Sequence, residues 1–116
     1  MIVDDDDGIL ETLSDILTEL QFNVTTASDG YKAIDLVEQG TFDVILMDIK
    51  MPGIDGVETF KRIKIIKPDA SIIFMTAYAR EERVDEAERE GAVDILCKPI
   101  DIANLEKTIR EAVHAT

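Results

Sequence analysis

The sequence is poor in cysteine and histidine and has no long apolar run. Cys97 is its only cysteine, which excludes an intramolecular disulfide and favours a reducing, cytoplasmic setting. No apolar run approaches the roughly 20 residues of a membrane-spanning helix, and no signal-peptide pattern is present. His114 is the only histidine, and it lies far from Cys97 in sequence. A cysteine nucleophile activated by a nearby histidine is therefore not expected.

Basic residues are also scarce, since 12 Lys and Arg stand against 25 Asp and Glu, for a net charge of −13. Nucleic acids and anionic membranes bind basic patches, so neither is an expected direct partner. The charge suits cation binding or a basic partner surface, although solubility alone explains part of it. The 116 residues contain no internal repeat, linker or low-complexity segment. They fit a single domain that needs no disulfide or structural metal.

Short apolar segments alternate with longer segments of helical period along the whole chain. The pattern predicts a parallel sheet with helices on both faces, an α/β doubly wound fold with right-handed crossovers. Asp29 and Asp101 are predicted helix caps, and Gly40 and Gly91 are predicted helix ends. The predicted strands cover residues 1–3, 23–27, 42–48, 71–77 and 92–97, and the predicted helices cover 9–20, 30–40, 57–67, 80–91 and 102–115.

Polar residues stand where the predicted strands end. Asp4 and Asp5 follow the first strand, Asp48 ends the third, Thr76 lies at the end of the fourth, and Lys98 follows the fifth. Ligands of open parallel sheets bind at the carboxyl ends of the strands. If strands 1 and 3 are neighbours, the three aspartates meet there and require a cation. Oxygen ligands without nearby His or Cys favour Mg²⁺.

Other interpretations of the aspartate run fit less well. An EF-hand loop with Gly8 at its sixth position has Val3 and Ser14 at its end positions, where carboxylates are required. A phosphate-binding loop presents Gly, Ser or Thr rather than four aspartates, which repel phosphate. A purely structural helix-capping role stays open. Asp6 and Asp7 in particular are expected to favour the positive N-terminus of the first helix.

Four segments together resemble the receiver domain of two-component response regulators: "IVDDDD", "VILMDIKMPGIDG", "IIFMTAY" and "DILCKPI". The resemblance covers nearly the whole chain, so residues 1–116 are expected to form one receiver domain with a shortened first strand. It implies a flavodoxin-like fold with strand order 2-1-3-4-5. It also implies a cis peptide bond between Lys98 and Pro99.

The resemblance also implies a role for each polar residue of the predicted crevice. Asp48 corresponds to the phosphoryl acceptor, and Asp4 and Asp5 to the acidic pair that holds Mg²⁺, with Asp5 the more direct ligand. Lys50 offers its backbone carbonyl to the metal. The hydroxyl of Thr76 and the ammonium of Lys98 contact the phosphoryl group.

The implied function is a phosphorylation-activated signalling switch rather than an enzyme with a separate substrate. A histidine kinase or phosphotransfer protein donates the phosphoryl group, and an unknown downstream target or output domain responds. The domain itself is expected to be a monomer or a weak, phosphorylation-dependent dimer. Slow autodephosphorylation is expected, since Lys50 and Tyr78 are bulky enough to obstruct the attacking water.

Two further classes are weighed against this function. Aspartate-nucleophile phosphatases usually have a second aspartate two residues after the nucleophile, where this chain has Lys50. An interaction domain that works without phosphorylation has no need of the complete polar set.

One departure from the family concerns Ile95, which occupies a position where receivers often have an aromatic residue. The response is therefore expected to pass through the loops after strands 3 and 4.

Overall fold

Five parallel strands form one sheet in the computed structural model, which describes residues 1–77 and 82–113. The strand order is 2-1-3-4-5, as the resemblance implies. No helix in this described part is long and apolar enough to cross a membrane. The strands are β1 (Ile2–Val3), β2 (Thr26–Ala27), β3 (Ile45–Asp48), β4 (Ile72–Thr76) and β5 (Asp94–Cys97). The helices are α1 (Asp7–Glu19), α2 (Gly30–Gln39), α3 (Gly56–Ile66), α4 (Glu82–Arg89) and α5 (Ile102–Val113).

The strands are shorter than the apolar segments that predicted them, because a strand extends only as far as its neighbours pair with it. β1 has two residues, and β2 pairs with β1 alone, through Ile2 with Thr26 and Val3 with Ala27. β2 is therefore limited to two residues, although residues 23–27 are rich in β-branched side chains. β3 starts at Ile45, where its pairing with Ile72 of β4 begins.

Alternate residues of the strands enter two separate apolar layers, one on each face of the sheet. This alternation follows from the two-residue period of a strand. On one face, Met47 and Phe74 pack with residues of α2, α3 and α4. On the other face, Leu46 and Ile73 pack with residues of α1 and α5. All nine residues of β3 and β4 are buried, as expected for strands covered on both faces.

Aspartate side chains cap the starts of four helices by accepting hydrogen bonds from backbone N–H groups. The predicted caps Asp29 and Asp101 accept from Lys32 N at 2.8 Å and Asn104 N at 3.2 Å. Asp6 caps α1 by accepting from Gly8 N and Ile9 N. Asp7 lies in the first turn of α1, the region predicted for it. The cap of α3 is Asp55, which lies between the predicted strand 42–48 and the predicted helix 57–67.

Gly56 lets the start of α3 lie directly against the end of β3. A Cβ at Gly56 would be 3.0 Å from the Cα of Ile49 and 3.1 Å from the carbonyl carbon of Asp48, and closer still to the Asp48 oxygen. The N–H of Gly56 donates to the carbonyl of Ile49 at 2.7 Å. The backbone that carries Asp48 is thus fixed by a contact that only a residue without a side chain can make.

We predict that Gly56→Ala lowers the free energy of unfolding by about 1–3 kcal/mol, the usual cost of overpacking. The added methyl group meets backbone atoms, which cannot rotate out of its way as a side chain can. Urea denaturation of both proteins measures the difference.

Gly40→Ala is the matched control, because a Cβ at the exposed Gly40 meets no atom within 4 Å. This variant should change the stability little. Equal losses in the two variants would contradict the role assigned to the close contact at Gly56.

Candidate functional site

Three carboxylates meet at the carboxyl ends of β1 and β3. These strands pair with Val3 opposite Met47, so the residues that follow each strand are neighbours. Carboxylate oxygens of Asp4, Asp5 and Asp48 all lie within 4.8 Å of one another. Asp4 and Asp48 are buried, whereas Asp5 is exposed. The structure therefore forms the crevice that the sequence pattern predicts, with one open side at Asp5.

Lys98 contacts two of these three carboxylates. Its Nζ donates to Oδ2 of Asp4 at 3.0 Å and lies 3.3 Å from Oδ2 of Asp48. Its side chain is only 20% exposed, so water screens these interactions less than at an open surface. The other oxygen of Asp4 accepts from the backbone N–H of Asp6 at 3.0 Å. Asp4 is thus held from two sides, and the ammonium group of Lys98 offsets part of the charge of the three carboxylates.

The surroundings of Asp48 disfavour its ionised form. Burial, followed by repulsion from Asp4, raises the pKa of the Asp48 carboxyl to about 6, although Lys98 opposes this shift. Burial acts to lower the pKa of Lys98, but its hydrogen bond to Asp4 and the charge of Asp48 outweigh burial and raise that pKa. Lys98 therefore keeps its positive charge at neutral pH, and a further positive charge near Asp48 would lower the pKa of its carboxyl group.

The remaining predicted residues also lie at this end of the sheet. Thr76 is buried at the end of β4, and its carbonyl accepts from the backbone N–H of Lys98 at 2.8 Å. Lys50 is exposed, two residues after Asp48. The Lys98–Pro99 peptide bond is cis, as the resemblance implies. Tyr78 lies outside the described residues.

The carboxylate cluster is chemically suited to Mg²⁺. All three donors are hard oxygen atoms, which this ion prefers over nitrogen or sulfur. Ligands on opposite sides of an octahedral Mg²⁺ ion lie about 4.2 Å apart. The three carboxylate oxygens lie within 4.8 Å of one another, which is close to this span. The exposed Asp5 leaves room on the same side for water, which Mg²⁺ usually retains.

The sequence pattern did not predict the ion pair that lies beside the site. Arg83 of α4 binds both carboxylate oxygens of Asp55, with Nε 2.9 Å from Oδ2 and Nη2 3.0 Å from Oδ1. Burial acts to raise the pKa of Asp55, but the hydrogen bonds from Arg83 and Glu58 N lower it overall. The spacing of Asp55 and Glu58 matches a helix-capping pattern. That spacing could have identified the cap, but not its partner on another helix.

The chain is similar to proteins of known family over nearly all of its length. The family model "response regulator receiver domain" matches residues 1–110. The transcriptional regulatory protein ZraR of Escherichia coli (strain K12) is 37% identical over 116 residues, which is 100% of this chain and 26% of ZraR. This chain thus spans about a quarter of that relative.

Two further similarities extend over most of both chains. Sporulation initiation phosphotransferase F of Bacillus subtilis (strain 168) is 33% identical over 111 residues, 96% of this chain and 90% of that protein. The crystal structure of the response regulator TrrA from Thermotoga maritima, in complex with Mg²⁺–BeF, superposes with a TM-score of 0.83 at 32% identity. It covers 96% of this chain and 95% of TrrA.

We predict that the Asp48 carboxyl of the metal-free protein titrates near pH 6. Asp4→Asn should lower this pKa because it removes a repulsive charge, and Lys98→Met should raise it because it removes the opposing cation. Carboxyl ¹³C chemical shifts followed against pH measure all three values. A titration of Asp48 that is unchanged by both substitutions would contradict the described electrostatics.

The raised pKa of Asp48 makes the stability of the folded protein depend on pH. Because the folded-state pKa lies above the ordinary value of 3.8, the contribution of Asp48 to stability is fully present below about pH 3.8. It is lost as the pH rises through 6. The stability of the metal-free wild type minus that of Asp48→Asn should therefore fall across this range.

Proposed function

Since this chain belongs to the family of response regulator receiver domains, we propose that it is a phosphorylation-activated switch with Asp48 as its phosphoryl acceptor. One observation carries this assignment. Asp48 ends a central strand of the sheet. Its Oδ2 lies 3.3 Å from Nζ of Lys98, and its carboxylate forms a cluster with those of Asp4 and Asp5.

In the proposed reaction, a carboxylate oxygen of Asp48 attacks the phosphorus of a phosphohistidine on the donor protein. A P–O bond to Asp48 forms, the P–N bond breaks, and the leaving imidazole takes up a proton. At pH 7 most of Asp48 is ionised, since its pKa is about 6, and it can act as a nucleophile. Catalysis of such a transfer depends mainly on positioning and on positive charge near the phosphoryl oxygens.

Lys98 supplies one such charge from a fixed position. Its ammonium lies between Asp4 and Asp48 and can keep its contact with Asp4 while it turns toward a phosphoryl group on Asp48. Mg²⁺, when bound by Asp4, Asp5, Asp48 and the Lys50 carbonyl, supplies further positive charge for the transferred group. The complex of TrrA with Mg²⁺–BeF supports this assignment.

The signal is proposed to leave the site through the ends of β3 and β4. Thr76 ends the strand next to Asp48, and its hydroxyl would bond the new phosphoryl group. Ile95, which is half-buried in β5, has no polar group that could follow such a movement. The backbone after Asp48 and after Thr76 therefore carries the change to the surface.

The chain's own catalysis is limited to its phosphorylation and to slow loss of the phosphoryl group, without turnover of a separate substrate. We assign the donor role to a cytoplasmic histidine kinase or phosphotransfer protein. The downstream element is either an output domain, as the partial match to ZraR suggests, or a separate protein, as the nearly full match to phosphotransferase F suggests. The domain acts as a monomer or weak dimer and does not itself contact nucleic acid or membrane.

We predict that acetyl phosphate and Mg²⁺ add one phosphoryl group to the wild type and none to Asp48→Asn. Intact-mass spectrometry measures the added group. Asp35→Asn is the matched control, because Asp35 is an exposed aspartate of α2 outside the crevice, and it should be labelled as the wild type is. Equal labelling of wild type and Asp48→Asn would show that the acceptor has been assigned wrongly.

A further inference from the structure

Helix α4 has a narrow apolar face compared with its neighbour α3. Of residues 83–89, only Val84 and Ala87 are buried, whereas five of the 11 residues of α3 are buried. A helix that buries little apolar surface gains little hydrophobic stabilisation from its place against the sheet. The position of α4 therefore depends more on polar contacts than that of α3 does.

Charged side chains of alternating sign connect the two helices. Asp55, at the start of α3, pairs with Arg83 of α4, and Arg83 also pairs with Glu86. Glu86 in turn pairs with Lys61 of α3. We call these four residues the α3–α4 clamp. The clamp begins and ends on the side of α3 and includes two residues of α4, so it holds the two helices next to each other.

The pair between Asp55 and Arg83 is the most directional part of the clamp. The guanidinium group contacts both carboxylate oxygens, at 2.9 and 3.0 Å. Such a two-point contact is stronger than a single hydrogen bond, and it requires a defined relative position of the two groups. The Arg83 and Asp55 side chains are only 34% and 30% exposed, so salt and water screen this pair less than a fully exposed one.

The clamp lies next to the backbone of the proposed phosphoryl acceptor. Asp55 directly precedes Gly56, whose backbone N–H donates to the carbonyl of Ile49 at 2.7 Å. Gly56 also lies against the carbonyl of Asp48, where a Cβ would collide. A displacement of the backbone that follows Asp48 would therefore move the Asp55 carboxylate relative to α4.

The clamp also joins the two segments to which the proposed function assigns the signal. Asp55 lies in the segment after Asp48, and Arg83 lies in the helix that follows Thr76. The contacts of the clamp exist together with those of a free Asp48 carboxylate, whose Oδ2 lies 3.3 Å from Nζ of Lys98. A phosphoryl group adds negative charge and further oxygen atoms at this point, so the surrounding segments must rearrange around it.

We propose that the α3–α4 clamp stabilises the form with a free Asp48 carboxylate, so that phosphorylation must break the pair between Asp55 and Arg83. This inference rests on the proposed function, since it takes Asp48 as the acceptor. An interaction that is present in only one of two states shifts the equilibrium toward that state. By linkage, any group that favours the other state then binds more weakly. Removal of the clamp should therefore strengthen the binding of a phosphoryl mimic.

The test uses beryllofluoride, a tetrahedral mimic of a phosphoryl group, as the probe at a saturating Mg²⁺ concentration. The proteins are the wild type, Asp55→Asn, Arg83→Gln and the double variant. Asn caps a helix about as well as Asp does, so Asp55→Asn removes the charge of the pair and keeps the start of α3. Amide ¹H–¹⁵N spectra give the apparent dissociation constant, and urea denaturation without the probe gives the stability.

Two further variants serve as controls. Arg62→Gln removes an ion pair within α3 alone, since Arg62 pairs with Glu58 of the same helix at 3.2 Å. It should bind the probe as the wild type does. Arg83→Lys keeps the charge but loses the two-point contact. Its affinity for the probe should lie between those of the wild type and Arg83→Gln.

We expect each single clamp variant to bind the probe about fivefold more tightly or better, which is the lower end of typical coupling between sites. Each should nevertheless be less stable than the wild type without the probe. The double variant should gain no more than the tighter single variant, because both changes remove the same contact. A tighter complex from a less stable protein is not expected of a pair that only supports the fold.

Unchanged or weaker binding in either single variant would overturn the proposal, as would an equal gain in Arg62→Gln. Asp48→Asn separates this proposal from the proposed function. Equal binding of the probe by wild type and Asp48→Asn would refute the acceptor assignment, and the clamp's role with it. Binding that is lost in Asp48→Asn but unchanged in the clamp variants would refute only the role of the clamp.

Discussion

Repulsion among three carboxylates, offset in part by the ammonium group of Lys98, is the constraint on which the rest of this structure depends. Pairing of β1 with β3 brings Asp4, Asp5 and Asp48 together. Lys98 follows β5, which is separated from β1 by two strands, yet its side chain reaches Asp4 at 3.0 Å. Its backbone N–H is held by the Thr76 carbonyl, so the cation is anchored in place. The repulsion that remains among the carboxylates favours the binding of a cation in the crevice.

The helices around the crevice hold the backbone that carries these charges. Gly56 allows α3 to lie against the Asp48 carbonyl, and Asp55 both caps α3 and binds Arg83 of α4. Glu86 of α4 extends this contact by pairing with Lys61 of α3. The backbone that carries Asp48 is therefore tied to two helices, so a shift of this backbone would act on both. On the other face, α1 begins beside the crevice, because Asp6 caps this helix and its backbone N–H donates to Asp4.

The alternating pattern predicted a parallel sheet, and the resemblance implied its strand order. With β1 beside β3, the aspartates converge because strand-end residues in a parallel sheet share one edge. The pattern predicted strand lengths less well, since the extent of β2 depends on how far β1 pairs with it, a non-local property. The pairing of Asp55 with Arg83 joins residues 28 positions apart, and no local pattern encodes it. The contact at Gly56 was not predicted, because a close approach of two backbone segments leaves no trace in composition. The roles of Asp48, Thr76 and Lys98 came from the resemblance and stay proposals.

The most direct test of the central claim is thermal unfolding of wild type, Asp5→Asn and Asp7→Asn across a Mg²⁺ titration. Mg²⁺ should stabilise the wild type by about 2.7 kcal/mol at 100 times its dissociation constant. Asp5→Asn should be more stable than wild type without Mg²⁺, since it removes repulsion, but should gain much less from the ion. Asp7→Asn should keep the full gain, because Asp7 lies in the first turn of α1. An unchanged Mg²⁺ response of Asp5→Asn would contradict the claim that the carboxylate crevice is a metal site.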